Sequence, residues 1–70
     1  MMRRSIHDTM KLLAVGQGWM IGNGTLREIL AIEFIGAHCR IRYRCGRTIE
    51  CHSDTFAAWV NKNDAKCRRV

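Results

Sequence analysis

The clearest periodicity in the chain lies between Cys39 and His52. Cys39-Arg40-Ile41-Arg42-Tyr43-Arg44 alternates strictly between apolar and basic positions, and Thr48-Ile49-Glu50-Cys51-His52 alternates again. A period of two marks a half-buried strand, here with its arginines on one face. Apolar faces must match across a hairpin, and that sets the register. A two-residue loop at Cys45-Gly46 pairs Ile41 with Glu50 and mixes the faces. A three-residue loop, Arg44 to Gly46, instead pairs Ile41 with Ile49 and Cys39 with Cys51. Arg40 then opposes Glu50, Arg42 opposes Thr48, and Gly46 takes the left-handed position that such loops require.

The flanking segments read less sharply. Residues 1–9 are polar and without periodicity, which predicts a flexible N-terminal segment. Met10 to Val15 is an apolar run that reads as a buried strand, and Trp19-Met20-Ile21 is a second short apolar element before the turn signal Gly22-Asn23-Gly24. Thr25 to Ile35 is ambiguous. Thr25-Leu26-Arg27-Glu28 fits a capping box and Gly36 a helix stop, yet apolar residues point in every direction of a helical wheel. The β-branched Ile29, Ile32 and Ile35, with Phe34, favour a strand. Ser53 or Asp54 can cap a helix on which Phe56, Ala57, Trp59 and Val60 lie at helical spacing. The expected fold is mainly β, a small barrel-like antiparallel sheet of about five short strands with one C-terminal helix. Residues 10–64 form this single domain and 65–70 a basic tail; a helical 25–35 is the α+β alternative.

Composition adds the charge. Twelve Lys and Arg against six Asp and Glu give +6 on seventy residues, with 47% hydrophobic and 26% charged positions, which excludes a disordered chain. Arg40, Arg42, Arg44 and Arg47 hold their stretch without an acid before Glu50, and Lys66, Arg68 and Arg69, with Arg3 and Arg4, mark the two ends. A basic face on so small a domain favours an acidic partner, above all nucleic acid. A domain of this size has little core, so a homodimer is expected. No apolar run long enough for a signal or a membrane span follows the basic start, so the expectation is a cytoplasmic protein with reduced thiols.

Catalysis and metal binding find little support. Cys39, Cys45, Cys51 and Cys67 are separated by five, five and fifteen residues, without the paired knuckles of a zinc site. Alternation turns Cys39 and Cys51 to the core and His38 and His52 away from it. The neighbours Cys51 and His52 diverge on a strand, and the glycines of Gly16 to Gly24 lack the Gly-Lys-Ser/Thr ending of a phosphate loop. No enzyme, metal or cofactor is expected. The arginines repeat about 6.6–6.8 Å apart on one strand face, near the spacing of phosphates in an extended single strand. Arg40, Arg42, Arg44, Arg47 and His52 are therefore the candidate nucleic-acid-binding residues.

Val15-Gly16-Gln17-Gly18-Trp19-Met20-Ile21-Gly22-Asn23 resembles a segment near the start of the carbon storage regulators. Gly36 followed by Cys39-Arg40-Ile41, and then Ile49-Glu50-Cys51-His52, is similar to two later segments of that family. The resemblance spans residues 10–60. It implies an interleaved dimer of five-stranded chains with a terminal helix, and translational regulation through binding to mRNA leaders. Leu13, Ala14 and Ser53 stand where the family carries arginines, so RNA contacts would fall to Arg42, Arg44 and Arg47. An unrelated SH3-like barrel fits the same alternation and turns. The functional expectation is a small regulator that binds RNA before DNA. The alternative is a protein-interaction module of a phage or mobile element that inhibits a host protein.

Overall fold

The computed structural model describes residues 4–36 and 38–69, with the backbone alone at His38 and Arg69. In chain order the elements are helix α1 (Ile6–Met10), strands β1 (Gln17–Met20), β2 (Leu26–Ile35), β3 (His38–Cys45) and β4 (Arg47–His52), helix α2 (Ser53–Asn63) and strand β5 (Lys66–Arg69). The strands form one antiparallel sheet in the order β4-β3-β2-β1-β5. The ambiguous stretch before Gly36 is thus a strand, the longest of the five, shared between the β3-β4 and β1-β5 pairs.

That strand is apolar in every direction because its ladder is interrupted. Ile29 pairs with Tyr43 and Ala31 with Arg42, leaving Leu30 as an extra residue. The bulge absorbs the odd spacing between Ile29 and Ile32, so both face the core although three positions separate them.

The β3-β4 hairpin forms with a register two residues from the expected one. Ile41 pairs with Cys51, Tyr43 with Ile49, and Arg42 with Glu50, so that Gly46 (φ 74°) alone joins Cys45 to Arg47. An even shift keeps the alternating residues 39–44 and 48–52 on their predicted faces, which is why the alternation could not exclude it. The core lies on the face away from the arginines. Trp19, Ile29, Ile41 and Tyr43 of the sheet meet Phe56 and Val60 of α2, and Ile41 and Phe56 are fully buried. Each such side chain contributes about 1.5–3 kcal/mol.

Three expectations about the flanks need correction. Met10 to Val15 is not a strand: Met10 ends α1, and the Gln17 side chain holds the following loop, accepting from the Ala14 N–H and donating to the Leu12 carbonyl, both at 2.8 Å. Gln17 Oε1 also accepts from Trp19 Nε1 at 3.0 Å, so the loop is tied to a core side chain. Residues 1–9, read as lacking an element, contain most of α1. Ser5 caps that helix through the Asp8 N–H, and the fully buried Thr9 hydroxyl donates to Asn61 Oδ1 at 2.6 Å. The basic tail is in part strand β5, which covers the β1 edge. Its run Lys66-Cys67-Arg68-Arg69 has no apolar alternation, as suits an outer strand kept from pairing further by its charge.

Candidate nucleic-acid interface

Alternation along β3 turns Arg40, Arg42 and Arg44 to the sheet face opposite the core, with side chains 48%, 45% and 61% exposed. The neighbouring strands supply acids to the same face. Register places Glu50 opposite Arg42 on β4, and Glu33 opposite Arg40 and Glu28 opposite Arg44 on β2. Arg42 is held most firmly: its Nε and Nη2 donate to Glu50 Oε1 at 3.0 and 2.7 Å, and Nη2 lies 3.9 Å from Glu33. Arg40 stands 3.6 Å from Glu50, and Arg44 3.9 Å from Glu28. The hydrogen bond from Arg42 draws the Glu50 carboxyl below its ordinary range, and the same bond raises the Arg42 guanidinium.

His52 lies on this face opposite Arg40, at the end of β4, and occupies the N-cap position of α2 in place of Ser53 or Asp54. Arg47 does not join the others. It pairs with Cys45, whose side chain packs on the core, so Arg47 emerges on the far side of the sheet. The expected orientation of His38, and the side chains of Arg3 and Arg69 in the end clusters, lie outside the described residues.

No match to a protein-family model, a curated protein or a solved structure is found for this chain.

The residue that sequence reading passes over is Arg27. On β2 it shares the core face with Ile29, and its guanidinium lies 4.0 Å from the ring centroid of Trp59 and 4.7 Å from that of Tyr43. Phe56 completes the cluster, edge-on to Tyr43 at 5.4 Å, and the buried Nε of Arg27 has no hydrogen-bond partner. The only signal was an Arg two positions before Ile29, where alternation calls for an apolar side chain. The aromatic residues thus surround a cation on the covered face, and Tyr43 gives the open face no stacking platform.

The cysteines divide by depth. Cys45 and Cys51 pack against the core, Cys39 is half-buried, and Cys67 is exposed. Burial pushes the Cys51 thiol up, against a hydrogen bond from the Phe56 N–H that stabilises the thiolate. Among the described residues no group of three His, Cys, Asp or Glu is placed to hold a metal, and no helix is long and apolar enough to cross a membrane.

Proposed function

We propose that the chain is a small nucleic-acid-binding regulator that takes single-stranded RNA in preference to DNA along Arg40, Arg42 and Arg44. The observation that carries this reading is the row itself: three exposed guanidinium groups on one strand, on the sheet face opposite the core. The repeat of about 6.6–6.8 Å suits successive phosphates of an extended strand. A duplex fits less well. α1 has five residues, and α2 buries Phe56, Ala57 and Val60 against the sheet, so neither is free to lie in a major groove.

The interleaved glutamates set the energetics. Exposed ion pairs are worth at most about 1 kcal/mol, so a phosphate can replace Glu28 or Glu33 at little cost. Glu50 is the strongest competitor, because it takes two donors of Arg42. The ion pairs with the glutamates also restrain the three side chains, which lowers the entropy lost on binding. With Arg47 on the other side, three phosphates are engaged, and the log–log salt slope is roughly −2 at about −0.7 per phosphate.

The test is titration of a labelled single-stranded RNA and its DNA counterpart against the parent chain, Arg42→Gln with Arg44→Gln, and Arg47→Gln. The expected result is a tighter RNA complex that is lost in the double variant and kept in Arg47→Gln. Equal affinity of the parent and the double variant overturns the proposal.

A further inference from the structure

Between α1 and the core face of the β2-β3 hairpin lies an apolar groove of about 370 Å³. His7, Met10 and Lys11 form one wall, at the i, i+3, i+4 spacing of a single helix face. Ile32 and Phe34 of β2 and Ser53, the first residue of α2, also line the groove. Phe34 stands on the lip with 81% of its surface exposed, more than any other large apolar residue described.

Two features at Ser53 point to an anion. Ser53 is only 5% exposed, lines the groove, and its hydroxyl has no hydrogen-bond partner among the described residues. It sits at the start of an eleven-residue helix whose N-cap, His52, makes no side-chain hydrogen bond to the first turn. Within that turn Asp54 Oδ1 accepts from the Thr55 N–H, and the Cys51 thiol from that of Phe56. The amides of Ser53 and Asp54 stand ahead of the first intrahelical bond, at the positive end of the helix dipole. Lys11 adds a charge on the wall, and neither Asp8 nor Asp54 lines the groove.

We infer that the groove docks an acidic, apolar segment of a partner protein. An aliphatic or aromatic side chain packs between Phe34, Ile32 and Met10, and a neighbouring carboxylate reaches the Ser53 hydroxyl, the first amides of α2 and Lys11. A second copy of this chain is the poorer occupant. It carries +6, and three of its six acids already stand beside arginines on the other face of the sheet. The inference does not rest on the nucleic-acid reading, since the groove and the arginine row lie on opposite faces.

The experiment selects a random peptide display library on the immobilised full chain. Bound peptides are then titrated, with amide chemical shifts followed on the parent chain, Phe34→Ser, Lys11→Gln and Ser53→Ala. Selected sequences are expected to place Asp or Glu beside Leu, Phe or Trp and to shift the amides of Met10, Lys11, Ser53 and Asp54. Phe34→Ser, at an exposed position that leaves the fold intact, should weaken binding roughly tenfold, as for an anchor residue. Lys11→Gln should weaken it more at low salt than at high salt. Enrichment without carboxylates, no enrichment over an unrelated protein, or unchanged affinity in Phe34→Ser overturns the inference. So does shifting of the same amides with protein concentration alone, which assigns the groove to a second copy, or with RNA alone.

Discussion

Phe56 is the largest fully buried side chain among the described residues. It meets Tyr43 edge-on and lies 5.7 Å from the Trp59 ring. Removing such a ring costs about 3–5 kcal/mol, comparable with all that a core of this size supplies. Phe56→Ala is therefore expected to lose its cooperative unfolding transition, which circular dichroism in urea will show; a variant that keeps the parent midpoint contradicts this account of the core. Arg27 depends on the same cluster. Its charge is stabilised by ring faces, and no Arg27–carboxylate ion pair forms among the described residues. This was not legible in advance, because a pattern of apolar and polar letters counts an arginine as outward-facing wherever it falls.

At the scale of elements, legibility followed the length of the alternation. Residues 39–52 alternate long enough to fix two strands and both of their faces, including the buried side of Tyr43. Their pairing partners followed only to within an even shift. Glu28 and Glu33 could not be placed beside the arginines at all, because that needs the bulge at Leu30, a property of two strands together. Residues 10–15 and 66–69 failed for opposite reasons. One is an apolar run whose backbone is held by a Gln17 side chain, the other a strand with no apolar pattern to announce it. The hairpin turn supplies a test at this scale. A Cβ at Gly46 would meet nothing within 4 Å, so its only penalty is the positive φ of 74°. Gly46→Ala is expected to lower stability by about 1–2 kcal/mol in urea unfolding. Gly22→Ala, where space is equally open and φ is outside the left-handed region, should change it far less.

Across the whole molecule the charge and the titrating groups set a stability window. Glu50 is drawn down by its Arg42 hydrogen bond, so its contribution is present above the unfolded carboxyl value, roughly pH 4.3. It is lost as pH falls through the lower folded value. Cys51 and Tyr43 are pushed up by burial, so theirs is complete below their unfolded values, roughly pH 8.5 and 10, and is lost as pH rises beyond them. Urea midpoints should therefore form a plateau between these limits, and Glu50→Gln should flatten the acid side alone; an unchanged acid limb contradicts the pairing. One tie between distant parts of the chain reaches further. A five-residue helix cannot persist by itself in water, and α1 is fastened through Thr9 to Asn61, fifty-two residues away, whose Nδ2 also donates to the Arg4 carbonyl. Local opening of α1 dismantles one wall of the apolar groove while the sheet stays intact. The opening equilibrium read by hydrogen exchange at the α1 amides is then the equilibrium between a competent and an incompetent groove. Any occupant must slow that exchange in proportion to how tightly it binds.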